Sequence, residues 1–310
     1  MLKQIRFRDI TWIDVESPTK ADLDTLAKDY DVHPLVLEEL VKPSPRSKLD
    51  VYTNFLYLVL HFPLCQICYA REENLNRDSQ EVDFIIGKKF LITAHYEPVN
   101  ALNDFGKILE SEMTLKRYPP ELHGGVLFYH IIRELYVSLE LGLNAINDRL
   151  REVEKKVFSQ QQREMVYTLA NINRDLMDFR WALKSHKEVL ESVELAAEEM
   201  FGTTFRFYLR SIIGEYQRTW TLIRSNRQTF LDLRETNDSL LSIKTNETMK
   251  VLTVVAFIFL PLTILSQMLS INTSWFPIVG TQPYGFFRMA VLMAVVVAVM
   301  YWIAKRKKWI

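Results

Sequence analysis

The sequence predicts an α+β membrane protein with an N-terminal α/β domain, a long helical stalk and two transmembrane helices at the C-terminal end. Strand and helix signals alternate over the first third of the chain. From about residue 122 the apolar residues recur at helical spacing only. Two long apolar runs then close the sequence. We therefore place the α/β domain at 1–120, the stalk at 121–250 and the transmembrane part at 251–310.

The α/β domain is predicted from short runs that are rich in β-branched and aromatic residues. Gly87-Lys88-Lys89 separates two of these runs and favours a tight hairpin between them. Helices are expected to begin near Pro18, with Ser17 as the N-cap, and near His33-Pro34. The predicted strands are 10–15, 55–62, 82–86 and 90–94.

This first domain carries no signature of a nucleotide-dependent enzyme. It has neither a Gly-Lys-Ser/Thr phosphate loop nor a Gly-x-Gly-x-x-Gly turn, so we expect no enzyme, no ATP-driven pump and no organic cofactor. The 38 basic and 38 acidic residues balance, which gives no reason to expect a nucleic-acid partner. Cys65 and Cys68 form a single Cys-x-x-Cys pair, which offers too few ligands for a zinc site and is expected to be reduced.

The stalk is predicted to contain three helices. Gln160-Gln161-Gln162 separates the first helix from a second one at about 163–195. A third helix runs from about 204 to 269, with no proline before Pro261. Its length is roughly 100 Å at the helical rise, so we expect it to begin in the cytoplasm and to end outside the membrane.

Two transmembrane helices are predicted at about 251–269 and 286–304. The first run has no charged residue, and the second has Arg288 near its start, where a long side chain can reach the interface. The basic residues 305–308 follow the second run. By the positive-inside rule both termini are then cytoplasmic, and the chain is expected in the plasma (inner) membrane as a multi-pass protein. The alternative is a buried helical hairpin in a soluble protein.

One face of the third helix stays small or polar even inside the apolar run. Alternating steps of four and three residues keep a helical face pointing one way. A polar line along a membrane helix is costly against lipid, so it is expected to face water or protein. The simplest such device is a pore lined by one helix from each of several subunits, and the alternative is a packing face between helices. We call this face the stripe; it consists of Gln228, Asp232, Glu235, Ser239, Ser242, Asn246, Met249, Thr253, Ala256, Leu260, Thr263 and Gln267.

The C-terminal part of the sequence has a characteristic order of segments. It consists of residues 242–253, the run Phe259-Leu260-Pro261-Leu262-Thr263, a short loop, a second apolar span and a basic end. This series resembles the CorA family of divalent-cation transporters, specifically over about residues 235–310 and in domain order upstream. The resemblance implies a funnel-shaped homopentamer in the lipid bilayer, with the first membrane helix of each subunit lining a central pore. It also implies that the partners are divalent cations.

The resemblance further implies roles for individual residues. Asn246 matches a pore asparagine near the cytoplasmic end, and Met249 and Leu252 match apolar gate positions. Leu260 matches a position that narrows the pore, and Thr263 matches a polar pore position.

Four residues of the stripe complete the expected ion pathway. Thr253 and Gln267 are expected to line the pore, because they continue the stripe through the apolar run. Asp232 and Glu235 are expected to form cytoplasmic acidic rings that draw exiting cations.

The family signature Gly-Met-Asn after the first span reads Ser270-Ile271-Asn272 here. We expect Asn272 to contact the ion through its hydration water, as part of a selectivity loop. Relatives that transport zinc carry Gly-Val-Asn or Gly-Ile-Asn, so Ile271 keeps a zinc transporter as an alternative. Magnesium-gated members carry a carboxylate in a Tyr-x-Arg-Asp context of the stalk helix. The matching residues here are Tyr208-Leu209-Arg210-Ser211, so a serine replaces that carboxylate.

The sequence therefore predicts uptake of Mg²⁺, and of Co²⁺ or Ni²⁺ as further ions, driven by the membrane potential through a homopentameric pore. Two alternatives stay open at this point. One is a zinc transporter of the same family. The other is a membrane-anchored pentameric scaffold without transport, favoured only by Ser270 and by the absence of an acidic residue at 272–287.

Overall fold

The computed structural model describes residues 2–63, 79–115, 123–270 and 285–307. Within these residues the chain forms six strands and eight helices. In chain order they are β1 (Leu2–Phe7), β2 (Ile10–Glu16), α1 (Lys20–Tyr30), α2 (Pro34–Glu39), β3 (Lys48–Val51), β4 (Phe55–Pro63), β5 (Ser79–Gly87), β6 (Phe90–His95), α3 (Asn100–Leu115), α4 (Gly124–Phe158), α5 (Gln162–Leu183), α6 (His186–Phe201), α7 (Phe205–Ser270) and α8 (Gly285–Arg306).

The six described strands form one sheet in the order β1-β2-β6-β5-β4-β3. Neighbouring strands are antiparallel except β2 and β6, which run parallel with Trp12 opposite Leu91. The predicted hairpin at Gly87-Lys88-Lys89 is confirmed, since β5 and β6 pair with Ile86 opposite Leu91. The central strands are almost fully buried, whereas the edge strands β1 and β3 are largely not.

The four predicted strands are confirmed as β2, β4, β5 and β6, and the sequence analysis missed the two edge strands. Strand β1 buries only Ile5 and Phe7, and β3 has no buried residue. Polar residues on an edge strand keep it from pairing with another chain, and they also remove the apolar run by which a strand is recognised.

Helix α1 begins later than predicted, and the expectation that Ser17 is its N-cap is wrong. Ser17 adopts a positive φ of 50°, and its hydroxyl donates to the carbonyl oxygen of Tyr96 at 2.9 Å. Thr19 caps the helix instead, in a reciprocal capping box with Asp22. The predicted start of the next helix is confirmed, because His33 caps α2 and Pro34 is its first residue.

Each face of the sheet is covered by helices. On one face α1 and α2 complete an apolar core with strand residues such as Ile13, Val15 and Val59. On the other face Trp12 packs edge-on against Phe105 of α3, and Phe84 against Phe128 of α4, with ring centroids 5.5 and 5.3 Å apart. The sheet is therefore the central layer of the α/β domain.

The start of α4 is fixed against the β5–β6 turn. The backbone nitrogen of Gly124 donates to the carbonyl oxygen of Lys88 at 3.2 Å. A Cβ at position 124 would overlap the carbonyl oxygens of Gly87 and Phe90, so this close approach requires glycine. The helical region is thereby joined to the sheet at a defined point.

The expectation of one helix at 163–195 is wrong, because the structure has two helices, α5 and α6, with a break at 184–185. His186, the first residue of α6, is fully buried. Burial lowers its pKa to about 3, so the ring is neutral. Its Nε2–H then donates to the carbonyl oxygen of His61, and its Nδ1 accepts from the Tyr136 hydroxyl, each at 2.8 Å. The break places this ring between β4 and α4.

The chain divides into two compact units, Met1–Arg234 and Glu235–Ile310. The second unit holds the end of α7 and the described part of α8. Among the described residues, one helix segment, Phe205–Gln267, is long and apolar enough to cross a membrane, and little of its most apolar stretch is buried. The first predicted span lies in this helix, while the second span, which coincides with α8, and the three-part domain division stay predictions.

A carboxylic acid is buried within the α/β domain. Asp83 of β5 is 1% exposed, and Glu81 lies two residues away on the same face of the strand. Burial, followed by the neighbouring charges of Glu81 and Glu39, raises the pKa of Asp83 well above its usual range. Asp83 therefore keeps a proton in the folded chain at pH values at which an unfolded chain has lost it.

We predict that Asp83→Asn makes the stability of the protein less dependent on pH. The unfolded chain loses this proton near pH ~4, so the free energy of unfolding of the native protein falls by up to about 1.4 kcal/mol per pH unit until the folded group ionises. An amide has no proton to lose. In thermal unfolding at a series of pH values from about pH 4 upward, the variant should gain stability relative to the native protein as the pH rises, until the folded group ionises.

The matched control is Asp104→Asn, because the Asp104 side chain is 66% exposed and pairs only with Lys107 across one helical turn. Its curve should run parallel to that of the native protein. Parallel curves for Asp83→Asn as well would contradict the assignment of a buried protonated acid.

Candidate ion pathway

Helix α7 is continuous from Phe205 to Ser270, which confirms the long helix predicted at 204–269. Pro261 interrupts its hydrogen bonding, because proline has no backbone N–H to donate. Two residues later the Thr263 hydroxyl lies 2.7 Å from the carbonyl oxygen of Leu260 and 3.2 Å from that of Phe259. The hydroxyl thus bonds to carbonyl oxygens in the turn that contains Pro261.

The first part of α7 packs one face into the first unit. Asn226 donates from Nδ2 to the carbonyl oxygen of Leu143 in α4, at 2.8 Å. Phe230 and Leu233, on the same face, are 4% and 7% exposed. This buried face fixes the rotation of the first part of α7 against the other helices of the first unit.

Ion pairs hold the same part of α7 against its neighbours. Arg206 and Arg210 lie 3.0 and 3.2 Å from one carboxylate oxygen of Glu194 in α6. Arg218 lies 3.1 Å from Glu140 in α4. The Arg206 guanidinium lowers the pKa of Glu194, so this carboxylate stays charged. Sequence reasoning missed these positioning residues, because no spacing within one helix reveals which other helix supplies the opposite charge.

The stripe lies away from that buried face. All twelve of its residues are exposed in the single chain, from Gln228 to Gln267. Phe230 and Leu233 lie on the opposite side of the helix, since they are displaced by about half a turn from the stripe. The structure thus brings the expected pathway residues of α7 together on one uncovered face, and their role as a pore lining stays a prediction.

The threonines of the stripe present acceptors rather than donors. The Thr253 hydroxyl donates to the carbonyl oxygen of Met249 at 2.8 Å, and that of Thr263 donates to Leu260. Each hydroxyl proton is therefore used within the helix, and the oxygen lone pairs remain for a partner in front of the stripe. Water that hydrates a cation directs its hydrogens outward, so acceptors are the groups that such a shell needs.

Apolar members of the expected pathway are equally uncovered. Met249, Leu252 and Leu260 are 57%, 63% and 61% exposed in the single chain. Large uncovered apolar surface of this kind indicates contact with lipid or with further protein chains. Leu252 lies beside the stripe rather than on it.

The acidic members lie on the first half of α7. Asp232 and Glu235 are both exposed, and Gln228 donates from Nε2 to Asp232 at 2.8 Å. The two carboxylates are three positions apart, which places them on neighbouring turns of one face. Both are exposed and therefore accessible to cations in solvent.

The selectivity loop is the part of the site that the structure leaves undescribed. Ser270 is the last residue of α7, while Ile271, Asn272 and the cysteine pair Cys65 and Cys68 lie outside the described residues. Among the described residues, no three His, Cys, Asp or Glu side chains are grouped to hold a metal ion. Within one chain, the pathway therefore consists of separate groups spread along a helix.

An α/β domain joined by one very long helix to an apolar C-terminal part, with a polar line on that helix, defines a membrane transport protein. Residues 7–306 match the sequence model of the family described as CorA-like Mg²⁺ transporter protein. The chain belongs to this family, and its class is that of the CorA-type divalent-cation transporters.

Individual relatives cover nearly the whole chain. The cobalt/magnesium transport protein CorA of Thermotoga maritima is 24% identical, over 98% of this chain and 85% of its own length. The protein of the same name from Methanocaldococcus jannaschii is 25% identical, over 100% of this chain and 95% of its own. The resemblance drawn from residues 235–310 is thus confirmed, and it extends well beyond them.

The complete structure of the CorA magnesium transporter from Methanocaldococcus jannaschii has the same fold. It superimposes with a TM-score of 0.82 at 23% identity, covering 100% of this chain and 95% of that one. The predicted fold class is therefore confirmed for the α/β domain, the long stalk helix and the apolar C-terminal part.

We predict that Thr263→Val lowers divalent-cation flux at least tenfold, because valine keeps the shape of threonine and removes its acceptor. Thr263→Ser should restore most of the flux, since serine keeps the acceptor. The control is Thr248→Val, because the Thr248 hydroxyl makes the same kind of bond, to Lys244 at 3.0 Å, but lies off the stripe. Flux into liposomes is the measurement, and equal flux in Thr263→Val and Thr248→Val would contradict the acceptor role.

Proposed function

We propose that this protein is a passive Mg²⁺ channel-transporter, a homopentamer in which α7 of each subunit lines a central pore. The observation that carries the proposal is the stripe: one face of α7 stays exposed and mostly polar into the apolar stretch of the helix. Five such faces around one axis would cover each other's polar groups and leave the apolar surface to lipid. No chemical step is involved, so the protein is not an enzyme.

The proposed membrane arrangement follows the distribution of charge. The α/β domain, the first part of α7 and both termini are cytoplasmic in the plasma (inner) membrane. Helix α8 returns the chain to the cytoplasm, and its last turn carries Lys305 and Arg306. Tyr301 and Trp302 lie at this end, and their side chains are 49% and 57% exposed. Such exposed aromatic residues suit an interfacial belt.

Recognition of the ion is proposed to act through its hydration shell. Mg²⁺ gives up water reluctantly and demands octahedral geometry. Neutral acceptors suit a hydrated ion, because a carboxylate would hold a divalent cation too tightly for release. Asn272 at the outer mouth, Gln267 and Thr263 along the pore and Asn246 at the inner end supply such groups.

The apolar residues are proposed to gate the pathway. Rings of Met249 and Leu252 would form a constriction at the inner end that excludes water when it is narrow. Leu260 would narrow the pore further out. Met249, Leu252 and Leu260 are all largely exposed in the single chain. Their side chains are therefore available to contact the same residues of neighbouring subunits.

The membrane potential is proposed to drive uptake. Each elementary charge gains about 2.3 kcal/mol per 100 mV, so a divalent cation gains about 4.6 kcal/mol. Acidic rings of Asp232 and Glu235 would lower the potential at the cytoplasmic exit and draw the ion inward. This gain is sufficient for uptake without ATP.

Mg²⁺ is preferred over Zn²⁺ as the proposed ion, with Co²⁺ as a further ion, because the two relatives above are named as cobalt/magnesium transport proteins. The zinc alternative depends on Ile271 and on Ser211, which stands where magnesium-gated members carry a carboxylate. A scaffold without transport has less support, since the acceptor groups of the stripe are retained.

The proposal predicts that purified protein in liposomes takes up Mg²⁺ when the interior is negative. Asn272→Ala should reduce this uptake at least tenfold without dispersing the oligomer, because the hydration shell loses its acceptor at the mouth. The control is Asn171→Ala, which removes an exposed asparagine on α5, away from the stripe, and should retain uptake.

Uptake and oligomer mass are measured on the same samples. Uptake of Zn²⁺ with no uptake of Mg²⁺ would replace the proposal by the zinc alternative. No flux of either ion through an intact oligomer would leave only the scaffold.

A further inference from the structure

Arg288 is the only charged residue between Lys250 and Lys305. No acidic residue follows Glu247 anywhere in the chain. The transmembrane part therefore cannot neutralise this guanidinium with a carboxylate of its own, and an identical neighbouring subunit brings no carboxylate in that part either. An anionic partner for Arg288 in the transmembrane part would therefore come from outside the protein.

A shallow, open groove runs along α8 beside Arg288. It has a volume of about 580 Å³, and its other lining residues are Phe287, Val291, Leu292 and Val295. Phe287, Val291 and Val295 are 67%, 63% and 55% exposed. From Arg288 to Val295 the groove follows α8 for two turns, about 10 Å. One cation at the head of an apolar strip matches a phosphate above an acyl chain.

The charge also matters for cation transport, and here the inference rests on the proposed topology and pentamer. Five Arg288 side chains would surround the outer part of the assembly with no acidic residue to offset them. An uncompensated positive ring opposes the approach of a divalent cation. Phosphate bound by each guanidinium would remove this barrier, and guanidinium binds phosphate with two parallel hydrogen bonds.

We propose that Arg288 and the groove along α8 bind one anionic phospholipid per subunit, with the phosphate on the guanidinium and an acyl chain along Val291 and Val295. The lipid lies in the outer leaflet, since α8 begins at the outer side in the proposed topology. Its headgroup serves as the counter-ion that the protein lacks.

The test uses the purified full-length oligomer and counts retained lipid by native mass spectrometry. Phosphatidylglycerol and phosphatidylcholine of equal chain length are offered separately. The native protein should retain about one phosphatidylglycerol per subunit that phosphatidylcholine does not replace, and Arg288→Gln should lower this retention about tenfold. Arg288→Lys should retain an intermediate amount, because ammonium lacks the paired donors.

A second variant tests the groove without changing charge. Val291→Trp should fill the groove and displace the lipid, whereas Val297→Trp, on the opposite face of α8, should leave retention unchanged. Equal retention by Arg288→Gln and native protein overturns the proposal. So does displacement by inorganic phosphate alone, which would make the site one for a free anion, and so does equal retention of phosphatidylcholine.

Lipid retention is measured independently of ion flux. The lipid site and the transport function can therefore be contradicted independently of each other. Normal Mg²⁺ uptake with unselective lipid retention would remove only the lipid site. Selective retention in a protein without flux would remove only the transport function.

Discussion

One helix carries polar side chains into an otherwise apolar segment, and the rest of the structure depends on how that helix is held. Helix α7 has no freedom to rotate in its first part, because Asn226, Phe230 and Leu233 are buried on one face. The first residues of the stripe, Gln228 and Asp232, therefore lie on the opposite side of this part of the helix. The α/β domain and the remaining stalk helices supply the packing that makes this direction unique.

Local chemistry within α7 prepares the stripe for a hydrated cation. The threonine hydroxyls give their protons to helix carbonyls, so only lone pairs face outward. The same bond at Thr263 lies beside Pro261, where the backbone lacks a donor. Thr263 thus bonds within the helix next to Pro261 and presents an acceptor on the stripe. In the proposed pentamer, the apolar positions between these acceptors provide the gate.

Much of this could be predicted from the sequence, because the signals were long and periodic. The 66 residues of α7, the buried central strands and the β5–β6 hairpin all have local patterns that the structure confirms. The two wrong helix predictions have a common cause, namely contacts between distant segments, whereas the edge strands were missed because they lack an apolar run. Ser17 failed as an N-cap because Tyr96 engages its hydroxyl, and the helix at 163–195 broke because His186 bonds to Tyr136 and His61.

The candidate site divides in the same way. Residues of the stripe could be read from helical periodicity, and the family match places the chain in a class of transporters. The ion pairs that hold α7, such as that of Arg218 with Glu140, could not be predicted from periodicity, because they join separate helices. Whether the stripes of several subunits meet depends on an assembly that a single chain does not contain.

Disulfide cross-linking in native membranes tests this meeting most directly. Cys65 and Cys68 are first replaced by serine, and single cysteines are then introduced by Asn246→Cys on the stripe and Thr248→Cys off it. If the stripes face a common axis, mild oxidation joins Asn246→Cys subunits into dimers and leaves Thr248→Cys subunits as monomers. Cross-linking at Thr248→Cys but not at Asn246→Cys would show that α7 turns its other face inward, and would contradict a pore lined by the stripe.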